Sequence, residues 1–427
     1  MIQLSITLKL LLTLMTVPVT GTIDLSPIDN TDGEWVAPGY EVITELDFDP
    51  LEYVDYVQAA QAFFMDTEDG EQLRLILVGD NRVLVFDEPW DTYRECTLES
   101  PWEVKNVVFS RNGRFLAITG CKDSTYNDGF FEREMHAYRD FRIEITDEDI
   151  LLERLNSNLG GYFVSNDGRI CTTSNHGLLS LYPLGDVDEY MSREPRQEAW
   201  NRYGCSYDAS LIVYGNVLIS NGTIGIQGYD WSGDLLWETS IGDMVLTAGL
   251  TVSPSGEYVL VPTRDNGIIC FSGRNGQKLW ETGDSRQCSS IQVSPDGNRW
   301  VGSLPAMHFY TGITTNSIET FTLDSFRILS TTMQNPICLN LNNIGNSMFR
   351  IYLSQNSDSQ RLVLLDSAQN KIWASSESVS RFSFHNSMNL ADLIYGNTIA
   401  AISEDGNRIC YNNDNETIKV LRIEEVQ

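Results

Sequence analysis

Lysine is nearly missing from this chain. Only six occur in 427 residues, at Lys9, Lys105, Lys122, Lys278, Lys371 and Lys419, and Lys plus Arg number 29 against 59 Asp plus Glu. The formal charge is −30. A surface this acidic repels phosphate backbones, so nucleic acid is not an expected partner. Sparse lysine with surplus carboxylate also fits a surface that stays hydrated at high salt, and adaptation to salt is expected; the plainer alternative is an acidic soluble protein. Apolar residues make up 42% and charged residues 21%, enough of the former to build a core.

Histidine is equally scarce. His136, His176, His308 and His385 are the only four, and none stands at metal-ligand spacing to another. Eight cysteines, Cys96, Cys121, Cys171, Cys205, Cys270, Cys288, Cys338 and Cys410, are scattered singly. Without a CxxC pair there is neither a zinc ribbon nor a thioredoxin-type motif. Cys270 in Gly-Ile-Ile-Cys-Phe and Cys338 in Pro-Ile-Cys-Leu read as small buried hydrophobes, which counts against an oxidising compartment.

Other chemical signatures are absent too. There is no Gly-x-Ser-x-Gly elbow and no Gly-x4-Gly-Lys phosphate loop. Gly222-Thr-Ile-Gly225-Ile-Gln-Gly228 is a poor echo of a dinucleotide loop and reads better as strand and turn glycines. The aspartate-rich stretches 29–33 and 66–70 lack the alternating ligands of a calcium loop. No cofactor, no metal site and no catalytic residue is expected.

Long apolar runs are missing except at the start. Lys9 precedes the apolar stretch 10–19, and Thr20 and Gly21 follow, so residues 1–21 read as a secretory signal peptide. The stretch is short for a membrane span, and no cysteine follows it to carry a lipid. A disordered leader over 22–35 is expected next. Location is read as secreted or cell surface, with the cytoplasm as the alternative.

What the chain does have is a repeat. Leu250-Thr-Val-Ser-Pro-Ser-Gly256, Tyr258-Val-Leu-Val261, Gly267-Ile-Ile-Cys-Phe271 and Gly276-Gln-Lys-Leu-Trp-Glu281 are four short strand-like pieces divided by turn residues. The same grammar recurs around residues 63, 107, 163, 206, 250, 291, 337 and 400, mostly at intervals of about 41–46. Four strands per 40–45 residues is the pattern of a propeller blade. The expected fold is all-β, a β-propeller of eight blades of four antiparallel strands, with seven as the alternative. Two intervals are longer. Residues 119–138 read as an enlarged loop in the second blade, and 378–397 as a long connection or an extra strand. The last blade seems one strand short, and Tyr40–Leu46 could complete it. The expected layout is a single propeller domain over 36–427 closed by its N-terminal strand.

The Ser-Pro-Asp-Gly turns, such as 294–297, resemble those of WD40 blades. The endings Gly233-Asp-Leu-Leu-Trp237, Gly276-Gln-Lys-Leu-Trp280 and Gln369-Asn-Lys-Ile-Trp373 resemble the repeats of the quinoprotein-like propellers. That resemblance implies that Trp237, Trp280 and Trp373 dock between blades. The quinone enzymes of that family carry adjacent cysteines over the cofactor; no Cys-Cys pair occurs here, so the resemblance stops at the fold. Ser294-Pro-Asp-Gly-Asn-Arg-Trp300 is one residue short of a sialidase box and reads as a tight turn.

The expected function is a non-catalytic platform for protein or ligand binding. In a propeller the loops from second to third strand and those between blades share one face. His176, Arg202, Arg264, Arg286 and Arg381 fall in such loops. In a chain so poor in cations they would form a local positive focus for an acidic protein segment or a small anion, each arginine paired to a nearby carboxylate being the plainer reading. A monomer without a transmembrane segment is expected. The alternatives are a hydrolase or lyase using the mouth of the channel, and a purely structural cell-surface protein.

Overall fold

A computed structural model describes residues 35–426 apart from connecting segments, the longest being 183–190, 194–201, 243–249, 282–289, 323–336 and 376–399. The signal-like segment, the leader as far as residue 34 and the second long interval therefore lie outside the described residues; Trp35, the last residue of the expected leader, is in a strand. Eight antiparallel sheets succeed one another. Their first strands are Ala59–Thr67, Glu103–Phe109, Gly161–Val164, Arg202–Cys205, Thr251–Val252, Ser290–Val293, Ile337–Asn342 and Ala400–Ile402. At six of the eight junctions the first strands of neighbouring sheets lie side by side, the meeting of the first sheet with the eighth among them. The architecture is a β-propeller with the first strands innermost.

The middle strands Gly70–Gly79, Tyr258–Thr263 and Gly267–Ser272 are buried on both faces, and this is why they read as continuous apolar runs rather than alternating ones. In Gly70–Gly79, Leu73, Leu75 and Leu77 pack with Ile418 and Val420 of the eighth blade. Ile76 and Val78, one step out of phase, pack with Leu116, Ile118 and Phe141 of the second. The core is thus a set of layers between blades. Trp237, Trp280 and Trp373 all sit in those layers. Trp237 packs with Val259 and Phe271, Trp280 with Val293, and Trp373 with Ile402 and Tyr411.

One local device turns the first strand into the second. Ser110, Ser165, Ser206, Ser253 and Ser403 are buried, and each hydroxyl accepts a hydrogen bond from the backbone N–H four or five residues on. In three blades the hydroxyl also donates to the carboxylate or amide two residues on, at Asn112, Asp167 and Asp208. The residue three after the serine takes positive φ, and a Cβ at Gly113 or Gly168 would lie 2.6 Å from a ring of the preceding blade, Phe63 or Phe115. The turns are stitched to one another: Asn112 N–H donates to Asn166 Oδ1, Asn166 N–H to Tyr207 O, and Tyr207 N–H to Pro254 O.

The chain's first described strands belong to its last blades. Tyr40–Phe48 pairs with Ile418–Glu425 as the outer strand of the eighth sheet, and Trp35–Val36 pairs with Lys371–Ala374 as a fifth strand of the seventh. Arg408 knots this junction. Its guanidinium meets Glu45 at 2.8 Å and Glu88 at 2.5 Å and lies 5.4 Å over the Phe64 ring. Burial alone would lower its pKa; Glu88 and Glu45 hold it above the usual value.

One local expectation changes. The segment read as an enlarged loop is regular: Phe115–Asn127 and Glu132–Ile145 pair along their length. Ahead of the first blade lies one 3-10 turn, Pro50–Glu52, capped by Asp49, and the chain is strand from Ala59.

Candidate interaction face

Chain direction alternates strand by strand, so connections from second to third strand and from blade to blade emerge on one face. The link from the eighth blade into the first is held down at several points. Asp49 Oδ1 accepts from Leu51 N–H at 2.9 Å, Arg82 Nη2 donates to Tyr53 O at 2.6 Å, and Asp55 N–H donates to Asp80 Oδ2 at 2.5 Å. Gly79 leaves room for the link to pass, since a Cβ there would strike the Tyr56 carbonyl. Gln58 Nε2 then reaches Val104 O of the second blade at 2.9 Å, and Val104 N–H donates back to Asn81 Oδ1 at 3.3 Å.

This clamp leaves Leu51 and Tyr56 exposed. Glu103 and Lys105, paired at 3.3 Å, stand nearby. The Tyr56 phenol is pushed above its usual pKa first by partial burial, then by Asp80 and Glu103, with Lys105 opposing. The hydroxyl stays protonated and can donate.

From the second blade rises a β-arm. The first strand ends its pairing at Cys121 and the fourth, Ile150–Arg154, at Phe141. Beyond these points the middle strands continue alone, from Lys122↔Ala137 to Asn127↔Glu132. Among the described residues neither edge of this ribbon has a partner strand. Its base is braced by Trp102, which Arg139 covers at 4.9 Å and whose ring lies 6.4 Å from that of Phe141. Below it the buried Asp140 accepts from Thr119 Oγ1 at 2.7 Å.

Of the five residues singled out by sequence, Arg202 opens the innermost strand of the fourth blade opposite Gly215, at the end nearest this face. His176, Arg264, Arg286 and Arg381 lie outside the described residues. The structure adds Tyr56, Trp102, Arg139 and the arm, which sequence reasoning missed. The available signal was the overlong interval between the second and third repeats.

Among the described residues no group of His, Cys, Asp and Glu is arranged to hold a metal, and no helix is long and apolar enough to cross a membrane. No family model matches the chain, and no curated protein does. Solved structures similar to it include BamB from Moraxella catarrhalis, with 10% identity and a TM-score of 0.49 over 90% of this chain and 98% of that one. Another is the Dos1 propeller, with 11% identity and a TM-score of 0.48 over 90% and 94%. Neither likeness bears on function.

Proposed function

We propose that the protein is a non-catalytic docking platform, and that its partner engages the loop face beside the β-arm of the second blade. The observation that carries this reading is the arm itself. It projects six residue pairs past the strands that flank its base, with neither edge paired among the described residues, which is the form in which a ribbon can pair with another chain. Leu51 and Tyr56 supply apolar and hydrogen-bonding surface at its side. His176, Arg202, Arg264, Arg286 and Arg381 are assigned to the same face as a cationic focus for an acidic protein segment or small anion. The working unit is one monomeric domain over 36–427, exported and suited to high salt.

The test is affinity capture from extract and medium at native salt, using three baits. The unchanged chain should retain a partner. A chain with 123–136 replaced by a two-residue turn, and an Arg264→Ala/Arg286→Ala chain, should each lose it while melting normally. Exposed loop changes usually move stability by no more than about 0.5 kcal/mol. Capture that survives both changes refutes the assignment.

A further inference from the structure

The motif that ends in tryptophan contains a second feature. In the outer strands of the fourth, fifth and seventh blades, Leu235–Gly242, Lys278–Glu281 and Lys371–Ala374, the residue just before the tryptophan is the extra one at a β-bulge. These residues are Leu236, Leu279 and Ile372. Their surroundings differ sharply. Ile372 is 1% exposed, whereas Leu236 and Leu279 are 49% and 45% exposed. Among the described residues the seventh blade alone has a fifth strand: Val36 stands opposite Trp373, and Ala37 N–H donates to Ile372 O at 2.8 Å. The chain therefore displays on one blade what an occupied outer edge looks like, and on two others the same edge with no further strand on it among the described residues.

The two uncovered edges are not alike. On the fifth blade Lys278 and Glu281 pair across the strand at 2.5 Å, and an edge lysine discourages strand addition. On the fourth blade Leu236 lines a groove of about 280 Å³ between blades, together with Leu211, Ser255, Glu257 and Arg274. The turns and strand framing it carry Asp208, Asp230, Asp234, Glu238 and Glu257; against these five stand Arg274, itself paired with Glu257 at 2.7 Å, and Arg169, which donates to Asp208 O at 3.4 Å and lies over Trp231. This groove opens on the face opposite the β-arm, so it is a separate surface.

We propose that the outer edge of the fourth blade receives an extended segment of a partner protein as a fifth antiparallel strand. The segment carries one bulky apolar residue for the groove beside Leu236, flanked by lysine or arginine. Backbone pairing supplies affinity, the groove selects the apolar residue, and the carboxylates select the flanking charge.

The probe is a fluorescein-labelled peptide with Trp-Val at its centre and two lysines on each side, titrated by anisotropy. Saturable binding is expected. It should weaken at least tenfold with Leu236→Asp, with alanine in place of the peptide tryptophan, with glutamate flanks, or with N-methylation of alternate peptide amides. Leu279→Asp should leave it unchanged. Binding that ignores N-methylation, or that a scrambled peptide matches, means simple charge attraction and overturns the proposal. No binding overturns it as well, as does equal weakening by Leu279→Asp. Self-association abolished by Leu236→Asp, in the absence of peptide binding, assigns the edge to a second copy and overturns it too. Should Leu236→Asp fail to fold, the peptide changes alone decide the matter.

Discussion

Replacing Trp237 with alanine removes a ring held from two sides. Its Nε1 donates to Gly273 O of the next blade at 2.6 Å, and a Cβ on Gly276 would come within 2.5 Å of the ring. Burying such a ring and then deleting it costs about 3–5 kcal/mol. Trp237→Phe keeps much of the area but leaves the Gly273 carbonyl without its donor, a loss of about 1–3 kcal/mol. We expect that order of effect in the midpoint of urea unfolding; equal midpoints for the phenylalanine variant and the parent would show that the hydrogen bond adds nothing. At this scale, turn residues were legible because their partners are local. Ser253 bonds to Tyr258 five residues away, and Ser-x-x-Gly announces it. Tyr56, Trp102 and Arg139 were not legible. Their placement depends on contacts such as Gln58 to Val104, 46 residues apart, and no local pattern encodes those.

Among elements, the N-terminal pair of strands is the most consequential. Trp35–Val36 covers the seventh blade and Tyr40–Phe48 completes the eighth. Removing residues 35–48 uncovers Ile372, Trp373, Leu421 and Ile423 and deprives Arg408 of Glu45. The truncated chain should melt well below the full one in a thermal scan; an unchanged melting temperature would refute closure by this segment. The repeat positions were readable because every blade carries short apolar strands and five of them the same turn serine, Ser110, Ser165, Ser206, Ser253 and Ser403. The arm was not. Lys122-Asp-Ser-Thr-Tyr-Asn127 has no apolar alternation, and strand character is read from that alternation. What makes this segment a strand is the pairing with Glu132–Ala137.

For the molecule as a whole the governing quantity is charge. Individual ion pairs such as Arg114–Glu144 are largely exposed and worth at most about 1 kcal/mol each. With 59 acidic residues against 29 basic, most carboxylates have no cation of their own, and repulsion outweighs pairing. Screening shortens from about 10 Å at 0.1 M salt to about 3 Å at 1 M. The melting temperature should therefore climb from dilute buffer to molar potassium chloride. A flat or falling trend would reject adaptation to salt. Charge and ring order were plain from the sequence. The placement of the scarce cations relative to one another was not, because loops from different blades decide it.

The knot at Arg408 also bears on how the chain is made. Glu45 and Arg408 are 363 residues apart, and the strand that pairs with Tyr40–Phe48 is made later still. A chain leaving the ribosome amino end first carries Tyr40–Phe48 as an orphan strand through almost the whole of translation. The flank of the first blade, with Leu73, Leu75 and Leu77, stays bare for as long. A message cut short anywhere before Ile418 yields a product with both liabilities permanently open, so quality control has a plain hydrophobic mark by which to recognise unfinished molecules.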